Sequence, residues 1–118
     1  MCKTTLLYFQ HILDECLFVC SVVTDEMQID QFLSDETLKR AVTRSLSIIG
    51  EATKKIPAEV RMKYDIFPWH QMAGMRDRLV HDYMGVNYFI VWDVAKNIIP
   101  DLKDQIQNFI LTHNEWGV

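Results

Sequence analysis

Apolar residues recur along this chain in steps of three and four. Leu6, Phe9, Leu13, Cys16, Cys20 and Val23 are spaced three, four, three, four, three, which puts them on one side of a helix. Leu7, Ile12, Leu17 and Val19 widen that stripe, so the spacing predicts a helix from about Thr4 to Val23 that touches more than one neighbour. Thr24 to Gln31 is polar and reads as a connection. Ser34 is placed to cap a second helix, with Asp35 and Glu36 in the first turn, where acids suit the helix dipole. Leu38, Val42, Ser45, Ile49, Ala52 and Ile56 step at four, three, four, three, four, and Pro57 ends the pattern. Lys54 and Lys55 fall in its last turn, where cations are favoured.

The stretch from Ala58 to Phe67 is short and mixed, with room for one or two helical turns. Pro68 suits the first turn of a third helix from Trp69 to about Tyr83, built on Met72, Met75, Leu79 and Val80 and stopped by Gly85. Asn87 is placed to cap a last helix carrying Ile90, Val94, Ile98, Leu102, Ile106, Phe109 and Ile110. Pro100 lies inside that pattern and is expected to kink or split it. No strand-like alternation, repeat or low-complexity tract stands out. The prediction is an all-α fold, an antiparallel bundle of four to five helices.

Length changes the picture only by allowing one domain, residues 1–118, large enough to hold a core without staples. The apolar fraction of 49% and charged fraction of 24% exclude a disordered tail, a collagen-like repeat and a disulfide scaffold. A net charge of -4 argues against a whole-surface grip on nucleic acid but leaves room for a local basic site. Cys16 and Cys20 are one helical turn apart, with no Cys-x-x-Cys pair, and read as small apolar residues facing a core rather than as a zinc site. The odd cysteine count fits a reducing compartment. His11, Asp14 and Glu15 interrupt the first helix too early for a signal peptide, and no uninterrupted apolar run reaches the ~18 residues of a membrane span. A cytoplasmic location without membrane attachment is the expectation.

The candidate chemistry lies in Arg76-Asp77-Arg78-Leu79-Val80-His81-Asp82-Tyr83, where every residue but the Leu79-Val80 pair is charged or titratable. Arginine presents a fixed fork of donors that matches phosphate. Histidine gives and takes protons near neutral pH. Together at one phosphodiester they suffice for RNA cleavage without metal. His81 would move a proton at the ribose 2′-oxygen or the leaving 5′-oxygen, and Arg76 would stabilise the crowded phosphate. On a regular helix, five residues separate Arg76 and His81 by roughly 140°. They converge only if the helix unwinds near His81 or if two chains pool residues. Continued helix would instead pair Asp77 with His81 and Arg78 with Asp82, and set Arg76 and Tyr83 on one face. The plainer reading of such a segment is a solvated helix end. Arg40, Arg44, Lys54 and Lys55 are likewise candidates for an RNA path or simply a solvated face. Glu51 either supports the site or covers a helix junction. His11, His70, His113 and the three tryptophans read as surface, packing or interface residues.

The segment Trp69-His70-Gln71-Met72-Ala73-Gly74-Met75-Arg76-Asp77-Arg78-Leu79-Val80-His81-Asp82-Tyr83 closely resembles the core motif of the HEPN superfamily in its HepT-like branch, R-x-x-x-x-H-x-Y. Ile49-Gly50-Glu51-Ala52 and Val91-Trp92-Asp93 leading into Ile98-Ile99-Pro100-Asp101-Leu102 resemble the same branch, so the resemblance runs nearly the length of the chain. It implies a helical bundle that forms homodimers with the motifs of both chains at a shared cleft. It implies a metal-independent toxin ribonuclease with RNA as substrate, Arg76 and His81 as catalytic residues, and Asp77, Arg78 and Asp82 in support. It further implies a cognate MntA-like nucleotidyltransferase antitoxin that transfers AMP to Tyr83. No cofactor is called for. The alternative is a non-catalytic helical partner or substrate-binding subunit of a nucleotidyltransferase, which would need neither Arg76 nor His81.

Overall fold

The computed structural model describes residues 1–81 and 85–113, with the backbone alone for Val80 and His81. Two long helices form its frame, α1 (Lys3–Val22) and α3 (Glu36–Lys55). Tyr8 and His11, early in α1, share a groove with Ile48, Glu51 and Lys55, late in α3, so the two run antiparallel. Phe9, Ile12, Leu13, Cys16 and Val19 are buried, and α1 lies against both α3 and the last helix, as its wide stripe predicts. Only half of that widening is used, because Leu7 and Leu17 remain 54% and 41% exposed.

The connection between them is not wholly irregular. Ile29–Ser34 forms a short helix, α2, held at its start by reciprocal bonds between Gln28 and Gln31 and anchored by the fully buried Phe32, which packs on Trp92 with ring centroids 5.4 Å apart. Six residues with one buried anchor are too few to show periodicity. Ser34 therefore ends α2 instead of capping α3. The cap is Asp35, whose carboxylate accepts the Leu38 amide N–H at 3.0 Å. Within α3 the predicted seam holds from its second position on: Val42, Ser45, Ile49, Ala52 and, just past the helix, Ile56 are buried, while Leu38 at its start is half-buried.

After Pro57 come α4 (Ala58–Lys63), α5 (Trp69–Ala73) and α6 (Met75–Leu79). Pro68 stands at the N-cap of α5, one place ahead of the first turn. The single helix expected from Trp69 to Tyr83 is thus broken at Gly74 and ends at Leu79, four residues early. It ends there because the backbone of β1 (Val80–His81) pairs antiparallel with β2 (Gly85–Val86), Val80 opposite Val86 and His81 opposite Gly85. Strands of two residues leave no alternation for a sequence pattern to show. Gly85 is not a helix stop but the strand residue that takes φ +76, in the left-handed region that only glycine enters freely.

The last predicted helix is two, α7 (Tyr88–Asn97) and α8 (Ile99–Thr112), parted at Ile98. Pro100 sits in the first turn of α8, where its missing N–H leaves no bond unmade. The Asn87 side-chain oxygen accepts the amide N–H groups of Phe89 and Ile90, as a cap should. Phe9 lies at the centre of the core, against Phe109 at 4.6 Å and both Phe67 and Trp69 at 5.9 Å. Averaged over a window, α1 is long and apolar enough to cross a membrane, which a count of uninterrupted runs misses because Asp14 and Glu15 break the run. In this fold its buried side is the middle of the core.

Candidate active site

The motif is displayed by α6. Met75 and Leu79, four apart, are both buried and fasten the helix to the core. The three residues between them that carry charge, Arg76, Asp77 and Arg78, are consequently turned out into solvent. A five-residue helix with two anchors one turn apart can only present its remaining side chains outward.

Gly50 brings this helix close. A Cβ atom at Gly50 would lie 3.4 Å from the Arg76 amide nitrogen and 3.5 Å from the carbonyl oxygens of Ala73 and Met72. The α3 backbone therefore supports the α5–α6 junction with nothing between them. One turn on, Lys54 reaches the same helix from the same face, its Nζ 3.5 Å from Asp77 Oδ2. Both groups are well exposed, so the pair contributes under ~1 kcal/mol. Gly74 is tight as well, since a Cβ there would meet the His70 carbonyl oxygen at 3.2 Å.

Two features of this geometry differ from a continued helix. First, Asp77 is paired with Lys54 rather than poised one turn from His81. The helix stops at Leu79, so Asp77 and His81 do not share a regular helical turn, while the expected pairing of Arg78 with Asp82 and the shared face of Arg76 and Tyr83 fall on residues outside those described. Second, the backbone at His81 is extended and paired with Gly85, which is the unwinding that a meeting of Arg76 with His81 requires within one chain. Asp82 and Tyr83, like the His81 side chain, lie outside the described residues. Arg76 and Arg78 form no ion pair among the described residues.

Other candidates sort by place. His11 and His70 are exposed, and His113 stacks on Phe109 at 4.3 Å with its Nδ1 2.8 Å from the Phe109 carbonyl oxygen. Trp69 packs edge-on against Phe67 and donates its indole N–H to the Tyr64 carbonyl at 2.9 Å. Trp92 lies under Lys96, whose Nζ is 5.3 Å from the ring and also donates to the Thr24 and Asp25 carbonyls. Trp116 lies outside the described residues. Glu51 is exposed on α3 at the groove between α1 and α3. Cys16 is fully buried and Cys20 half-buried, as small apolar residues facing a core would be. The supporting residue that sequence reasoning passed over is Gly50. The signal that could have found it is a glycine inside an amphipathic helix, where it costs about 1 kcal/mol relative to alanine.

The fold and the outward Arg-Asp-Arg strip define a helical domain built to expose one short basic motif. Residues 12–109 match the family described as ribonuclease HepT-like, and the chain belongs to that family. It is 44% identical over 108 residues to a protein of Caldanaerobacter subterraneus subsp. tengcongensis named a putative RNase, covering 92% of this chain and 96% of that one. It is 45% identical over 87 residues, 74% of this chain and 72% of the relative, to a protein of Methanocaldococcus jannaschii also named a putative RNase. A protein of Thermococcus cleftensis named probable ribonuclease HepT is 39% identical over 93 residues, 79% of this chain and 84% of its own. No solved structure matched the chain significantly.

Proposed function

We propose that the protein is a metal-independent endoribonuclease that acts as the toxin of a toxin–antitoxin pair. The observation that carries the reading is the outward Arg76-Asp77-Arg78 strip, placed just before the chain leaves the helix after Leu79 and reaches His81, in a member of the HepT-like ribonuclease family.

In this reading His81 takes the proton of a ribose 2′-hydroxyl. The 2′-oxygen attacks the adjacent phosphorus, and the 5′-oxygen leaves with the proton that His81 returns, giving a 2′,3′-cyclic phosphate and a 5′-hydroxyl. Arg76 binds the non-bridging oxygens and holds the added charge of the transition state. Arg78 adds positive potential, and Asp77 and Asp82 support the site. Two chains form a symmetric dimer that gathers two copies of the strip into one cleft, a local positive site on an acidic body. His81→Ala and Arg76→Ala should each abolish RNA cleavage and relieve toxicity on expression, with the helical circular dichroism unchanged. Full cleavage by His81→Ala contradicts the assignment.

The partner in this reading is an MntA-like nucleotidyltransferase. It would transfer AMP from ATP to the Tyr83 hydroxyl with release of pyrophosphate. The added phosphate would compete for the Arg76 fork and repel the RNA backbone. Incubation with ATP and that enzyme should add AMP at Tyr83 by intact mass and peptide mapping and stop cleavage. If Tyr83→Phe is silenced equally well, the switch lies elsewhere.

A further inference from the structure

The exposed side of α3 bears a row that folding does not explain. Arg40, Arg44, Ser47, Glu51 and Lys54 step at four, three, four, three, which lines them up along one side of the helix, with Lys55 beside the last. From Arg40 to Lys54 the row spans about 21 Å at ~1.5 Å per residue. It ends at the motif: Lys54 Nζ is 3.5 Å from Asp77, between Arg76 and Arg78, and Gly50 seats α3 against the Arg76 backbone.

Helix stability accounts for only part of this row. Lys54 and Lys55 gain from the dipole at the C-terminal end, but Arg40 and Arg44 lie in the first half of α3, where cations gain nothing. They are also like charges one turn apart, an arrangement that weakens a helix. Arg40 has an exposed contact of 3.7 Å with Glu36, whose other oxygen already holds Lys39 at 2.8 Å. Arg44 and Lys55 form no ion pair among the described residues. Although the chain as a whole carries a charge of -4, α3 bears the cations Lys39, Arg40, Arg44, Lys54 and Lys55 against the acids Glu36 and Glu51.

We propose that this face of α3 is the track on which the RNA backbone lies as it leads to the motif, with Arg40, Arg44 and Lys55 each taking a phosphate and Lys54 joining the track to the cleavage point. The proposal rests on the ribonuclease reading for what happens at the end of the track. Glu51, the one acid in the row, opposes binding.

The test is the triple variant Arg40→Gln/Arg44→Gln/Lys55→Gln, with Lys103→Gln on α8 as a surface-charge control. Binding of a single-stranded RNA is measured across salt concentrations in a His81→Ala background. Each lost phosphate contact removes ~0.7 from the log–log salt slope, so the triple variant should lose about 2 and bind on the order of tens of fold more weakly at physiological salt. In the active chain its KM for RNA should rise while kcat is retained, and its preference for long RNA over a dinucleotide should collapse. Glu51→Gln should tighten binding, and Lys103→Gln should leave the slope alone. An unchanged slope and KM in the triple variant overturns the track. So does a change in molar mass by light scattering without a change in slope, which would make this face a contact between copies of the chain. If the parent chain binds RNA with the expected slope but cuts neither RNA nor dinucleotide, the ribonuclease reading fails and the track stands.

Discussion

Three thiols sit in three different surroundings, and their chemistry reports the fold residue by residue. Cys2 is exposed, and a hydrogen bond with the Thr5 hydroxyl at 3.2 Å holds its thiol below the usual range. Burial pushes the half-buried Cys20 up and the buried Cys16 up to about 12. The thiolate is the reactive form, so iodoacetamide at pH 8 should label Cys2 first and Cys20 slowly, leaving Cys16 untouched until the protein is unfolded. Peptide mapping against time checks the order, and early labelling of Cys16 would contradict the packing of α1. The same shift makes stability depend on pH. An unfolded Cys16 ionises near 9 and the folded one near 12. Between those values the unfolded state binds fewer protons, and Cys16's contribution falls as pH rises through that window.

Among the elements, the approach of α3 to the α5–α6 junction at Gly50 predicts a graded response to side-chain size. Ala at this position meets backbone atoms at 3.4 to 3.5 Å, ordinary contact, and removes the conformational freedom of a helical glycine. Gly50→Ala should therefore leave the thermal midpoint unchanged or slightly raised. Gly50→Leu has to displace backbone rather than a flexible side chain and should cost on the order of 1–3 kcal/mol. It should also depress RNA cleavage beyond that loss, since the displaced atoms include the Arg76 amide. Equal midpoints for the two variants, by thermal unfolding, would mean that the junction does not rest on α3. The long helices were legible in the sequence because their seams of three- and four-residue steps run for many turns. So were the Asn87 cap and the split beside Pro100, since each follows from one residue's own hydrogen-bonding capacity. Short elements were not. Phe32 alone anchors α2, and the β1–β2 pair is a matter of backbone bonding that neither Val80 nor Gly85 announces. The candidate site was proposed from chemistry alone, from the types and spacing of Arg76, Asp77, Arg78 and His81. Its support was not legible, because the approach of Gly50 and the reach of Lys54 depend on how α3 and α6 meet.

For the whole molecule, the described surface keeps large apolar side chains in water. Leu7, Leu17 and Phe18 of α1 are exposed, and Phe89, two residues past the Asn87 cap that follows β2, is 65% exposed beside the motif-bearing ribbon. In the dimer proposed above, Phe89 would meet its counterpart across a two-fold axis near the two motifs. Light scattering at micromolar protein should give twice 13.9 kDa or a multiple, and Phe89→Asp should lower it toward the single-chain mass with loss of cleavage. A single-chain species that still cuts RNA would remove the need for a shared cleft.

In the proposed mechanism Arg76 and His81 do the work of RNA cleavage without a metal ion, and the ends of the products test that proposal most directly. A labelled single-stranded RNA incubated with the purified protein in EDTA should yield fragments ending in 2′,3′-cyclic phosphate and 5′-hydroxyl. His81→Ala should yield none, and an otherwise identical strand with a 2′-deoxyribose at the cut position should stay whole there. Cleavage that appears only with a divalent metal, that leaves 5′-phosphate ends, or that persists in His81→Ala would contradict the account.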